Sequence, residues 1–249
     1  MTVFARASAT LACLALLGCA TPPATPPAGA PGAAASPVAP ARYLPAGVPD
    51  LLRFLPPPPV ADSPEQAQDL AAVLASQAAR TPAEVALAQR DQKVSVSHFA
   101  DVLGPGFTEQ RLPRTFALAG RACRETSFRV AAAKRHWNRP RPFRASAEVE
   151  PVIGNVSEGS YPSGHAACGY LWSILLADLL PQQRDALFAR GIAYGESRVI
   201  GGVHYPTDLT AGRIAAAVVA AKLFDSAAFG ADLQAAREEL AAAGLLAAP

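Results

Sequence analysis

Residues 163–180 read SGHAACGYLWSILLADLL. Apart from Ser163, His165, Ser173 and Asp178, the stretch is apolar or small on every side of a helical projection. A helix without a polar face is buried by its neighbours rather than laid on a surface, so the stretch predicts a central helix beginning at Ser163 and Gly164. The rest of the chain must supply helices to cover it. Its composition allows this, since 51% of residues are apolar, largely alanine, and only 7% are aromatic. Alanine favours helix and permits close contacts, whereas a strand sandwich draws on aromatic and β-branched residues.

Outward from that helix the signals are those of helix ends. SPEQAQDLAAVLASQAAR opens with Ser63 as cap and Pro64 in the first turn, and TPAEVALAQRD repeats the device with Thr81 and Pro82. A long striped segment runs from Thr108 to about His136 and closes on NRPRP. PQQRDALFARGIAYG predicts a helix from Pro181, PTDLTAGRIAAAVVAAKLF one with Pro206 at its first position, and ADLQAAREELAAAG a last one ending at Gly244. No alternating strand pattern and no internal repeat emerges. A chain of 249 residues suits one domain, and a net charge of +2 gives no basic field for nucleic acid.

The N-terminus predicts export. MTVFARASATLACLALLGC carries Arg6, a short apolar run and small residues before Cys19. LLGC resembles a bacterial lipobox, in which Cys19 becomes the lipid-bearing N-terminus; the alternative is an ordinary signal cleaved slightly later. The expected location is the periplasm, free or tethered to the outer membrane. Residues 20–48, rich in Pro, Ala and Gly, read as a linker, leaving 49–249 as the folded domain. After the signal, no uncharged apolar run reaches the ~18 residues of a membrane span. Cys123 and Cys168 fall in different predicted helices, as a bridge or as two buried thiols.

Three segments carry chemistry. KRHWNRPRP sets Lys134 seven residues before Arg141, YPSGH sets Ser163, Gly164 and His165 at the start of the buried helix, and GESRVIGGVHYPTD brings Arg198, His204 and Asp208 onto one loop. Three cations, with guanidinium forks that match two oxygens at once and a helix N-terminus beside them, describe a cradle for a phosphate dianion. Asp208, in the first turn after Pro206, can accept the Nδ1–H of His204 and leave Nε2 with a lone pair for attack on phosphorus. His165 can then protonate the departing oxygen. Charge neutralisation by the cations asks for no metal and no cofactor.

These segments match the signature of the phosphatidic acid phosphatase type 2 superfamily: K-x6-R-P at Lys134, Arg141 and Pro142, P-S-G-H at Pro162 to His165, and S-R-x5-H-x3-D at Ser197, Arg198, His204 and Asp208. From about Pro56 onward, the flanks GSYPSGH and RGIAYGESRVIGGVHYPTD resemble the bacterial class A non-specific acid phosphatases. The resemblance implies an all-α helical bundle shared with vanadium haloperoxidases. It also implies His204 as nucleophile, Asp208 as its partner and His165 as acid, with Lys134, Arg141, Ser163, Gly164 and Arg198 on phosphate. The implied enzyme hydrolyses small phosphate monoesters; the charge leaves nucleic acid out as a partner, and monomer and homo-oligomer both stay open. Alternatives are a vanadium-dependent haloperoxidase, or a membrane-tethered lipid phosphatase if Cys19 is acylated. Arg135, Arg139 and Arg144 crowd the cradle, either steering anions into it or, as the plainer reading, forming a solvated face; His98 and His136 read as structural or surface residues. Tyr161 and Trp137 either pack or stack on a leaving group.

Overall fold

The computed structural model of the protein describes residues 43–154 and 157–245. The expected signal with Cys19, and most of the expected linker, lie outside them. Among the described residues there are nine α-helices and no strand, as an all-α fold requires: α1 Pro64–Ala79, α2 Pro82–Arg90, α3 Ala100–Leu103, α4 Pro113–Trp137, α5 Pro142–Ala145, α6 Gly164–Leu179, α7 Arg184–Ile200, α8 Pro206–Phe224 and α9 Ala227–Ala242.

The caps work as the sequence suggests. Ser63 Oγ accepts from Gln66 N at 3.1 Å, and Thr81 and Glu84 close a reciprocal capping box on α2. Three boundaries differ from expectation. The segment expected from Thr108 becomes helical only at Pro113, where the carboxylate of Glu239 on α9 receives the N–H groups of Arg114 and Thr115, both at 2.8 Å. That cap comes from far along the chain and has no local sequence signature. The last helix starts at Ala227, capped by Ser226, four residues before the expected Ala231. Between them, α7 runs through Gly195 to Ile200, so Arg198 sits on its last turn and not on a loop. Gly195 does not stop the helix because it faces Ala166 of α6, where a Cβ would come within 3.1 Å.

Helix α6 lies at the centre, packed on α4, α7 and α8. Small residues let the backbones approach closely. A Cβ on Gly191 of α7 would stand 1.9 Å from Ser173 Oγ and 2.7 Å from Gly169 O; one on Gly212 of α8 would stand 2.6 Å from Ser163 O. These crossings draw the last turn of α7 and the first turn of α8 against the N-terminus of α6. Cys123 and Cys168 are bonded, tying α4 to α6.

Residues 43–48, read as linker, belong to the packed body. Tyr43 N–H donates to Glu125 at 2.9 Å, its hydroxyl donates to Asp232 at 2.6 Å, and the buried Arg129 donates to Val48 O at 2.7 Å. Tyr161 is a packing residue: its ring meets Trp137 edge-on at 5.0 Å and its hydroxyl donates to Pro56 O. His98 stacks near Tyr194 and bonds Lys93 O, a structural role. No single described helix is long and apolar enough to cross a membrane; α8 and α9 reach that length only as a pair bent by 93°.

Candidate active site

The three sequence segments meet at one cleft of about 500 Å³. Lys134 enters from the last turn of α4, Arg141 from the turn before α5, Gly164 and His165 from the start of α6, Arg198 from the end of α7, and His204 from just before α8. Ser163 and Asp208 lie behind that wall, fully buried.

His204 is held from both sides. Its Nδ1 donates to Asp208 Oδ2 at 3.0 Å, which leaves Nε2 unprotonated, and that lone pair accepts from Arg141 Nη1 at 3.0 Å. Asp208 Oδ2 also accepts the N–H of Tyr205 at 2.9 Å and the hydroxyl of Ser160. Burial drives the His204 pKa well below its usual value despite its hydrogen bond to Asp208, so the ring is neutral. Burial pushes Asp208 upward, but the hydrogen bond from His204, then the charge of Arg139 and the hydrogen bond from Ser160, hold it below the usual carboxylate range. A neutral imidazole facing an ionised carboxylate is the arrangement a nitrogen nucleophile needs.

The cations divide their donors unequally. Arg141 donates Nε–H to Glu158 O at 3.0 Å, Nη1 to Val203 O at 2.8 Å and to His204, and Nη2 to Gly159 O at 3.3 Å. One N–H of its five remains, so Arg141 is not the two-oxygen fork expected of it; backbone carbonyls have taken the geometry. Lys134 Nζ donates to Gly159 O at 2.6 Å and Ser160 O at 3.2 Å, leaving one donor. Arg198 is the open fork: among the described residues only its Nη1 finds a partner, Ala88 O at 3.3 Å, and its buried Nε finds none. Burial, then the charge of Arg141, lowers Lys134 to about 7, and burial lowers Arg141 and Arg198 to about 10. Desolvated cations of one sign make a strong anion site, because an anion reverses each of these penalties.

Ser163 needs a correction. Its N–H donates to Asp208 O at 3.0 Å and its Oγ caps Ala166 N at 3.3 Å, so it shapes the cradle without offering its amide to phosphate. The N–H groups of Gly164 and His165, in the first turn, have no intrahelical acceptor and carry the positive end of the α6 dipole. The His165 ring lies 5.6 Å from that of Tyr194, and its Nε2 meets Gln92 O at 3.0 Å. A carbonyl can only accept, so Nε2 bears the hydrogen and Nδ1 is the atom able to exchange a proton. Burial, then Arg198, pushes the His165 pKa down to about 3.

Sequence reasoning missed two residues here. Arg139 was placed on a solvated face; it is buried and donates to Asp208 Oδ1 at 2.6 Å and Asp69 Oδ2 at 2.7 Å. Ser160, which binds Asp208, carried no signal beyond its place near P-S-G-H. Among the described residues, no three His, Cys, Asp or Glu side chains gather as a metal-holding group.

Comparison with known proteins agrees with this geometry. Residues 115–228 match the PAP2 superfamily. An acid phosphatase of Zymomonas mobilis subsp. mobilis is 34% identical over 204 residues, 77% of this chain and 75% of its own. A non-specific acid phosphatase of Salmonella typhimurium is 34% identical over 196 residues, 75% of this chain and 78% of its own. A bacterial vanadium-dependent iodoperoxidase shares the fold, with a TM-score of 0.57 at 14% identity over 71% of this chain and 53% of its own. With similarity at this level across most of two acid phosphatases, and with all three signature segments meeting at one cleft, the chain belongs to the PAP2 superfamily.

Proposed function

We propose that the protein is an exported acid phosphatase that hydrolyses a broad range of phosphate monoesters through a phosphohistidine on His204, without a metal. One observation carries this reading: a neutral His204, fixed by Asp208, keeps an unprotonated Nε2 on Arg141, at the cleft that also holds Lys134, Arg198 and His165. The acid phosphatases of Zymomonas mobilis and Salmonella typhimurium support the substrate class.

Phosphate enters with two oxygens on the Arg198 fork and others on Lys134 and the α6 N–H groups. Arg141 Nη1 moves its hydrogen bond from His204 Nε2 to a phosphate oxygen, which frees the lone pair. Nε2 then bonds to phosphorus as the ester P–O bond breaks, and the departing oxygen takes the proton from His165 Nδ1. Water attacks the phosphohistidine while His165 takes its proton; the P–N bond breaks and phosphate leaves. The cations and helix dipole stabilise the equatorial oxygens, the charge-neutralising work that magnesium does in many phosphoryl transfers. Beyond the phosphate site the cleft wall combines Val94, Phe128, Val130 and Ala131 with the polar Arg124, Ser127 and Glu158. Breadth is supported by the relative from Salmonella typhimurium, a non-specific acid phosphatase.

A phosphate-release panel of aryl phosphate, nucleotides, sugar phosphate, phosphatidate and diphosphate, run with EDTA, tests the proposal. Turnover of several soluble monoesters in EDTA is expected. Activity lost to the chelator and restored by a divalent metal contradicts the metal-free mechanism, and vanadate-dependent halide oxidation in place of phosphate release contradicts the phosphatase. Export, with lipid on Cys19, is tested by fractionating Cys19→Ser: release from membranes is expected, and unchanged fractionation leaves only the plain secretion signal.

A further inference from the structure

Behind Asp208 lies a buried charge relay that extends to a helix outside the matched family region. Arg139 donates Nη1 to Asp208 Oδ1 at 2.6 Å and to Thr207 Oγ1 at 2.8 Å; its Nη2 donates to Asp69 Oδ2 and to Gln66 Oε1, both at 2.7 Å. Asp69 also accepts the N–H of Thr207 at 3.3 Å and its hydroxyl, and the guanidinium lies 4.0 Å over the Tyr205 ring. Side-chain exposures are 4% for Arg139, 5% for Asp69 and 0% for Asp208. Asp69 and Gln66 come from α1, whereas the family match begins at residue 115. Arg139 does not line the catalytic cleft; with Gln66 and Tyr205 it lines a separate hollow.

We infer that Arg139 and Asp69 are positioning residues for the His204–Asp208 pair, fixing the orientation of the Asp208 carboxylate and the charge it presents to the nucleophile. The inference rests on the reading of His204 as nucleophile. Arg139 occupies Oδ1, so Oδ2 alone faces Nδ1 of His204. A guanidinium bound to Asp208 alone would cancel the negative charge that keeps the imidazole oriented and supports it as the P–N bond forms. Asp69, on the other edge of the same guanidinium, takes part of that positive charge and leaves the three-residue cluster at −1. The cluster also needs Arg139 between its carboxylates, since like charges buried together raise one another's pKa and take up a proton.

The groups that face Asp208 are His204, Arg139, Ser160 and the Tyr205 N–H, with the cations Lys134 and Arg141 acting through charge at longer range. Asp69 is the carboxylate that reaches it through Arg139. In Arg139→Gln, Asp69 and Asp208 face each other without a cation, and protonation of the pair removes the partner of His204. The sign follows: kcat falls, and the acidic limb of its pH profile moves to higher pH.

The test is steady-state kinetics with an aryl phosphate from pH 4 to 8 for Arg139→Gln, Asp69→Asn, the double variant and His204→Ala. Arg139→Gln should lose ~10²-fold in kcat, on the order of a general acid–base contribution, with KM within about 3-fold because the phosphate cradle is untouched. Its acidic limb should rise by at least one pH unit. Asp69→Asn should lose about 10-fold without that rise, and the double variant should recover part of the Arg139→Gln loss, because the second buried carboxylate is gone. Sulfate binding and the thermal midpoint report folding for each; if Arg139→Gln does not fold, Asp69→Asn and the double variant carry the test. Folded Arg139→Gln and Asp69→Asn with the parent's kcat and pH profile, or losses strictly additive in the double variant, overturn the inference. Substantial activity in His204→Ala overturns the function proposed above, an outcome separate from those.

Discussion

An anion that binds the cradle should take up a proton from solution, and His165 should be the group that receives it. In the free protein the His165 pKa is down at about 3, because burial and the charge of Arg198 oppose the imidazolium. A general acid working near pH 6 must instead hold its proton in the complex. Raising the pKa by about three units requires ~4 kcal/mol, at 1.36 kcal/mol per unit. A dianion ~5 Å from the ring supplies about 7 kcal/mol at an effective dielectric constant of about 20, so the substrate itself can charge its acid. Sulfate is a suitable probe, being dianionic throughout this range. Titration calorimetry at pH 5.5 in buffers of different ionisation enthalpy should give about one proton taken up per sulfate; Lys134, at about 7, is already protonated there. His165→Ala should still bind sulfate, with uptake near zero. The same coupling sets stability. The unfolded chain binds a proton below about 6.5 that the folded one refuses until about 3, so the anion-free protein loses stability as pH falls through that window, and sulfate restores it. Binding heats independent of buffer would refute the reasoning, since His165 would then enter the complex without the proton it must donate.

Arg198→Lys keeps the charge but loses the open fork, so kcat/KM for an aryl phosphate should fall ~10²-fold, the scale of one preorganised donor; a change under about 3-fold places the fork elsewhere. Removing the Cys123–Cys168 bond by a Cys123→Ser, Cys168→Ser double replacement releases a loop with a sequence separation of 45. The chain-entropy relation then expects a loss of about 4 kcal/mol in denaturant unfolding. Gly212→Ala would place a methyl 2.6 Å from Ser163 O, a contact with backbone that cannot move aside. It should cost about 1–3 kcal/mol as overpacking and lower activity by shifting the start of α6; a variant as stable and active as the parent would contradict the close crossing of α8 on α6.

The parts of the fold legible in the sequence were those with local causes. Ser63–Pro64 and Thr81–Pro82 mark helix starts because a cap and its acceptor lie within three residues, and the apolar girth of 163–180 is itself the reason α6 is central. The candidate site residues were legible for the same reason: His204 and Asp208 are four residues apart, and Ser163 to His165 are contiguous. What the sequence hid depends on distant partners. The cap on α4 comes from Glu239, 124 residues beyond Thr115. Arg139 looked like one of several solvated arginines because Asp69 lies 70 residues earlier, on a helix whose packing no local pattern predicts. Arg141 and Arg198 look alike in sequence. Only the carbonyls of Glu158, Gly159 and Val203 show that the first is largely occupied and the second open. The pairing of Cys123 with Cys168 likewise follows from α4 lying against α6 and not from spacing.

The central claim is that His204 Nε2 becomes bonded to phosphorus, and rapid quenching with a labelled aryl phosphate tests it most directly. His165→Ala should accumulate the intermediate, since a nitrophenolate leaves without a proton whereas water attacks poorly without a base. After a burst of nitrophenol, peptide mapping should find one acid-labile phosphate on His204, and His204→Ala should show neither burst nor label. Label on His165, or a burst that persists in His204→Ala, would contradict the account.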